Sequence, residues 1–209
     1  MNNALVALAA GLSAATVHEA AGRTGAFPSA IKPLWADAML CGPAYPVRSA
    51  AGDNLGFHHA IYAAEAGDIL VVDCGDASEY GYWGEVMARA AQEVGIAGLV
   101  TSGGVRDSRR MVEIGFPVFA ANVCIRGTGK DPSGAGSLGQ PITIGEVRVA
   151  RGDLVIGDAD GIVVVEAALA AAVIAEARRR DASEQAIFDQ LRAGATTLEI
   201  YQLPPLARR

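Results

Sequence analysis

Glu85, Arg106 and Asp107 are the residues of this chain whose types and spacing point most directly to chemistry. Two carboxylates and one guanidinium at one edge of a sheet would make a site for a divalent cation and an anionic substrate. Hard cations take oxygen ligands, and a guanidinium grips a carboxylate through paired N–H bonds. The intervening residues can bring them together. Val86, Met87, Ala90, Ala91 and Val94 share one face at helical spacing, and Gly95 follows as a helix stop. Ile96 to Val100 is a short apolar run that suits a strand covered on both faces. The pair Gly103-Gly104 is expected to turn the chain and deliver Arg106 and Asp107 beyond the strand end. A further helical turn is expected after Asp107, and a new strand from Phe116-Pro117-Val118-Phe119. The first helix starts at Gly84, so its free N–H groups and partial positive charge suit a carboxylate. The competing reading is a surface Arg-Asp pair of little energetic value, and spacing alone leaves both open.

The rest of the chain must supply the scaffold. It has 209 residues, 51% of them hydrophobic, which suits one domain over residues 1–209 with a buried core. A formal net charge of -6 argues against broad nucleic-acid binding. It leaves room for a local basic pocket that takes an acidic metabolite. Cys41, Cys74 and Cys124 lie far apart with no CxxC spacing, so they read as buried thiols in a reducing compartment rather than zinc ligands. The N-terminal stretch lacks the basic region of a signal peptide, no run suits a membrane span, and the cytoplasm is the expected location.

Taken in order, Ser13 is expected to cap a helix reaching Gly22 and carrying His18 and Glu19. These two neighbours point in different directions, and Glu19 is either a plain surface side chain or an inter-subunit residue facing a neighbour's site. Ala38 to Val47 reads as a strand whose Gly42-Pro43 and Pro46 favour an edge or a bulge. Asp53 or Asn54 caps the next helix, whose adjacent His58 and His59 lack metal-binding spacing. Ile69 to Asp73 is a buried strand with Asp73 at its C-terminal end, where α/β proteins place ligands. Cys74 to Trp83 is expected to be a loop in which Tyr80, Tyr82 and Trp83 wall the site. Residues 120–139 read as a loop carrying Arg126 and Lys130, and Asp158 to Gly161 as a hairpin turn. Two helices, Glu166 to Arg180 and Ser183 to Arg192, are expected to break near Asp181.

The motifs that run through the chain are Thr16-Val17-His18-Glu19, Cys41-Gly42-Pro43-Ala44, Gly52-Asp53-Asn54-Leu55, the stretch from Gly67 to Asp73, Trp83-Gly84-Glu85, Gly103-Gly104-Val105-Arg106-Asp107, Gly115 to Phe119, Gly152 to Val165 and Glu199-Ile200-Tyr201. In these the sequence resembles the RraA-like family, which includes metal-dependent 4-hydroxy-4-methyl-2-oxoglutarate / 4-carboxy-4-hydroxy-2-oxoadipate aldolases. The resemblance implies a layered α/β sandwich related to swivelling-domain folds, assembled as a homotrimer or homohexamer with sites between subunits. It implies that Asp107 binds Mg²⁺ or Mn²⁺ and that Glu85 reaches the metal through water. Arg106 would hold the pyruvyl group, and the amides of Val86 and Met87, after the turn at Gly84, its carboxylate. Asn54 is counted with the substrate-binding residues. The implied partner is a small oxo acid, with neither nucleic acid nor membrane. One position departs: the aldolases usually carry an acid three residues after the Asp, and this chain has Arg110, which could engage a substrate carboxylate. RraA itself inhibits an RNA-degrading endonuclease by binding, and that is the alternative function. Lys32 and Lys130 are the only lysines, and neither lies in the central segment, so no Schiff-base mechanism is suggested.

Overall fold

The computed structural model describes residues 2–134 and 136–205. In chain order the elements are α1 (Asn3–Ala9), α2 (Ala14–Ala20), β1 (Lys32–Pro33), β2 (Leu40–Arg48), α3 (Leu55–Ala63), β3 (Ile69–Asp73), β4 (Gly81–Trp83), α4 (Glu85–Glu93), β5 (Gly98–Val105), α5 (Ser108–Ile114) and β6 (Val118–Val123). They continue with β7 (Ser137–Leu138), β8 (Ile142–Ile144), β9 (Val147–Val149), β10 (Leu154–Gly157), β11 (Ile162–Val165), α6 (Ala170–Arg192) and α7 (Thr197–Ile200). The fold is α/β, as expected. Its main sheet runs β1-β6-β5-β3-β2-β10-β11, with β4 added beside β5 and β7 beside β2. β2, β3, β5 and β6 are parallel, so their C-terminal ends share one edge. That edge is where open α/β sheets offer ligand sites.

Every residue of β3 is buried, as a strand covered on both faces requires. One side of the sheet packs Phe57, Tyr82, Trp83, Met87 and Phe116 into a cluster. Trp83 stacks on Phe116 with ring centroids 5.8 Å apart, and Phe57 on Tyr82 at 5.6 Å. Burying one such side chain contributes on the order of 1.5–3 kcal/mol, so this cluster fixes β4 and α4, the elements that carry the site. Another cluster packs Val17 of α2 and Ile174 of α6 against Ile156 and Val163 at the far end of the sheet.

Several expectations need correction. Gly103 and Gly104 lie inside β5 rather than at a turn. Their role is close approach of β4: a Cβ on Gly103 would come within 2.6 Å of the Tyr82 ring, and one on Gly104 within 2.7 Å of the Tyr80 carbonyl oxygen. β2 is continuous and interior rather than an edge strand. Its prolines are tolerated because the pairing changes along it. Pro43 precedes the stretch paired with β3, which begins at Ala44. Pro46 falls between the segments paired with β10 and β7, where its carbonyl accepts from Gly139 N–H at 2.8 Å. Residues 81–83 form a strand, and Tyr82 and Trp83 are core rather than wall. The C-terminal helices are one 23-residue helix, α6, because no Gly or Pro interrupts it and the single Asp181 is too weak a breaker to end it. Ser13 caps α2 through Thr16 N–H, as expected.

Candidate active site

Glu85, Arg106 and Asp107 do meet. β4 and β5 run parallel, with Trp83 opposite Val105, so the residues following each strand emerge side by side. Arg106 N–H donates to the Trp83 carbonyl at 2.8 Å and extends this pairing by one residue. Asp107 is the N-cap of α5, yet its side chain does not cap that helix. Its Oδ2 instead accepts from the N–H of Glu85, the first residue of α4, at 3.2 Å. Asp107 has φ 55, in the left-handed region that few non-glycine residues adopt and Asp tolerates better than most. Such strain collects at functional sites. Gly84 leaves the space for this arrangement, since a Cβ there would run into Asp107 Oδ2 and approach Arg106 Cγ at 3.2 Å.

The side of the site that suits an anion is the start of α4. Val86 and Met87 belong to its first turn, whose N–H groups have no acceptor within the helix. They combine with the positive end of the helix dipole. Arg106 stands beside them, half exposed, with its nearest carboxylate contact at 4.0 Å to its own neighbour Asp107. A guanidinium so weakly committed is available to a ligand. The Asn54 side chain supports the same turn from beneath: its Nδ2 donates to the Tyr82 carbonyl at 2.8 Å and lies 3.6 Å from Met87 Sδ. Asn54 is buried, its Oδ1 has no partner among the described residues, and the helix cap itself falls to Asp53 Oδ1, which accepts from Leu55 N–H at 2.8 Å.

Asp107 is half exposed, with Oδ2 engaged by Glu85 N–H, and offers a carboxylate to a hard cation. Glu85 stands next to it, its Oε1 held by Arg89 Nε and Nη2 at 3.0 and 2.9 Å. Among the described residues no three His, Cys, Asp or Glu side chains cluster with metal-binding geometry. A caged ion is therefore not accommodated, whereas Mg²⁺ held by one or two carboxylates and otherwise by water and substrate is.

One candidate residue stands elsewhere, and Arg110 follows Asp107 on α5. Glu19 pairs with Arg23 at 3.1 Å and with Arg180 at 3.7 Å, on the face of α2 toward α6. Within one chain it is at the β11 end of the sheet, away from β5. Arg110 pairs with Glu113 at 2.9 Å. That hydrogen bond raises the Arg110 pKa, with a smaller contribution from the field of Glu85. Glu113 is lowered in turn by Arg110 first and by Arg109. Burial pushes the Cys74 thiol up to about 12 and the Cys41 thiol to about 11, so neither is a thiolate at neutral pH. Arg89 was not singled out from sequence, although Glu85 and Arg89 stand at the i, i+4 spacing that pairs charges on a helix. The three clefts around Arg48, with volumes of about 390, 500 and 610 Å³, include neither Arg106 nor Asp107. In a single chain the site is an open ledge, and its convergent donors, rather than enclosure, single it out.

Comparison with known proteins identifies the family. The family model RraA-like (Aldolase/RraA) matches residues 12–164. The chain is 35% identical to a Halalkalibacterium halodurans protein named "Putative 4-hydroxy-4-methyl-2-oxoglutarate aldolase", over 82% of each chain. It superposes on an uncharacterized protein from Pseudomonas syringae pv. tomato with a TM-score of 0.84 and 23% identity, covering 98% of this chain and 95% of that one. The RNA-processing inhibitor RraA from Thermus thermophilis gives a TM-score of 0.66 at 25% identity, over 73% of this chain and 92% of that one. The chain belongs to the RraA-like family of α/β proteins.

Proposed function

We propose that this protein is a divalent-metal-dependent lyase that cleaves a 4-hydroxy-2-oxo acid, such as 4-hydroxy-4-methyl-2-oxoglutarate or 4-carboxy-4-hydroxy-2-oxoadipate, to pyruvate and a second oxo acid. The observation that carries this reading is the convergence of first-turn amides of α4, the weakly committed Arg106 and the Asp107 carboxylate at one point. The name of the Halalkalibacterium halodurans relative supports it.

In this reading the amides of Val86 and Met87 take the C1 carboxylate, and Gly84 lets it approach the backbone. Arg106 lies over the C2 oxygen. When the C3–C4 bond breaks, its electron pair passes to C3 and on to that oxygen. The guanidinium then meets growing negative charge, the condition under which a fixed donor lowers a barrier most. Loss of the C4 hydroxyl proton leaves a carbonyl at C4, and protonation at C3 completes pyruvate. Asp107, with Glu85 beside it, would hold Mg²⁺ or Mn²⁺, which supplies Lewis-acid polarisation of the 2-oxo acid. Asn54 and Met87 keep the amides of α4 aimed. Oxaloacetate, whose decarboxylation yields the same enolate, is an expected second substrate.

The test is pyruvate release coupled to lactate dehydrogenase. Turnover is expected with Mg²⁺ or Mn²⁺, loss after EDTA, and recovery on adding metal back. Full activity after exhaustive chelation would remove the metal from the mechanism. No pyruvate from any 4-hydroxy-2-oxo acid or from oxaloacetate, with binding to an endonuclease instead, would favour an inhibitor acting by docking.

A further inference from the structure

Four guanidiniums and three carboxylates lie on α4, on α5 and on the two residues that precede α5, paired as Arg89–Glu85, Arg106–Asp107, and Arg109 and Arg110 on Glu113. This is a locally positive patch on a chain whose formal net charge is -6. The pairings show where the surplus charge lies. Arg89 commits Nε and Nη2 to Glu85. Arg106 serves the 2-oxo acid head in the reading above. Arg109 and Arg110 share one carboxylate, Glu113, through Arg109 Nε at 2.9 Å and Arg110 Nη1 at 2.9 Å. One of those two positive charges is therefore uncompensated.

Arg110 is the member of that pair tied to the site. Its backbone N–H donates to the Asp107 carbonyl at 2.9 Å, in the same turn that presents the Asp107 carboxylate. Its Nε and Nη2 donors have no hydrogen-bond partner among the described residues. Arg109 is 90% exposed, against 63% for Arg110, and its contact is with Glu113 alone. Leaving Glu113 would cost Arg110 little, because solvent screens an ion pair between exposed side chains and Glu113 keeps Arg109.

We propose that Arg110 is a specificity-determining residue: it receives a second carboxylate at the end of the substrate remote from the 2-oxo acid head, and so selects diacids over monoacids. The assignment rests on the aldolase reading of the head group. Its physical basis is the planar guanidinium fork, which meets a carboxylate with two parallel N–H bonds. The exposed position lets one side chain serve diacids of different length.

The experiment is calorimetric binding, with saturating Mg²⁺, of 2-oxoglutarate and 2-oxopentanoate, which share a chain length and differ in the distal carboxylate. The parent protein is expected to prefer 2-oxoglutarate. Arg110→Gln is expected to narrow that preference by about tenfold, chiefly by weakening 2-oxoglutarate, a change equivalent to about 1.4 kcal/mol. Arg109→Gln removes the same charge one residue away and is expected to leave the preference within about twofold. An unchanged preference in Arg110→Gln, or equal losses in the two variants, would overturn the assignment while leaving the aldolase reading intact. Failure of both ligands to bind the parent protein would instead remove the head-group reading, and this one with it.

Discussion

The segment from β4 to α5 and the C-terminal residues 181–205 are built in opposite ways. In the first, order comes from close packing inside the chain. Gly81, Gly84, Gly103 and Gly104 let β4 lie against β5 so closely that a Cβ at any of them would strike a neighbour, and Tyr82 and Trp83 lock the arrangement into the core. In the second, no residue is buried. The second half of α6, α7 and the residues after it present Phe188, Leu191, Leu198, Tyr201 and Leu203 at 38–56% exposure. The contrast separates two sources of function. The site is held by its own chain and depends on single atoms, whereas the arm can be altered at little cost to the fold.

The largest effect that would sharpen this contrast is at Asp107. Asp107→Ala removes the carboxylate that accepts from Glu85 N–H and that would hold the cation. Turnover is expected to fall below detection, with the circular dichroism spectrum unchanged because the side chain is half exposed. Turnover at the parent rate would show that Asp107 is not the ligand. Arg106→Ala comes next. A donor that strengthens its contact as charge develops acts on kcat and kcat/KM together, and its loss is expected to cost on the order of 10²–10³ in each, by analogy with oxyanion-hole deletions. Arg106→Lys should restore only part, since a point charge lacks the fork. A rise in KM alone would reassign Arg106 to ground-state binding.

Much of this site was legible in the sequence, for identifiable reasons. β3 was readable because a strand covered on both faces is apolar throughout, and α4 was readable as a helix, although the face it buries is Met87, Ala88 and Ala91, while Val86 and Val94 of the expected face are exposed. Arg106 and Asp107 were readable as a pair beyond a strand, and the family motifs gave them roles. The glycines misled. Gly103-Gly104 looks like a turn, and nothing local says that Tyr82 and Tyr80 will lie where its side chains would go. The prolines of β2 misled for the same reason: their tolerance depends on which partner strand stops where. The continuity of α6 across Asp181 was missed because charged residues there were read as a break, although none of them interrupts a helix. Arg89 was legible by spacing alone and went unread. What the sequence concealed is mostly contact between segments distant along the chain.

A middle-sized effect is expected at Gly84. Its backbone is extended and open to any residue, so Gly84→Ala adds no torsional strain. The added methyl instead strikes Asp107 Oδ2 and presses on Arg106. Both side chains are half exposed and can give way, so stability is expected to fall by only about 1 kcal/mol, at the low end of overpacking costs. Activity should fall about tenfold or more, since small misplacements of reacting groups are costly. Parallel measurement of Tm and kcat/KM separates the two. A loss of stability without a loss of activity would show that the close fit at Gly84 serves folding alone.

The smallest effect on the fold is expected from removing the arm. Ending the chain after Arg180 deletes a stretch in which no described residue is buried, while Val173, Ile174 and Ala177 of α6 stay in place against α2 and β10. Helices as short as the remaining segments contribute little by themselves in water, so the core loses almost nothing when they go. For a chain of this size 1 kcal/mol corresponds to roughly 2–4 °C in Tm, and the truncated protein is expected to melt within about that range of the full chain. Light scattering of the full chain is expected to give the mass of a trimer or a hexamer. A fall in Tm of more than about 8 °C on truncation would break the contrast drawn above, because it would mean that the apolar face of the arm is covered in the assembled protein and contributes to its stability. Glu19 offers the matching check, since its partner Arg180 survives the truncation. If Glu19→Gln lowers kcat in the full chain and leaves Tm unchanged, that carboxylate works at a neighbour's site. If it shifts Tm alone, it is a surface ion pair with Arg23 and Arg180.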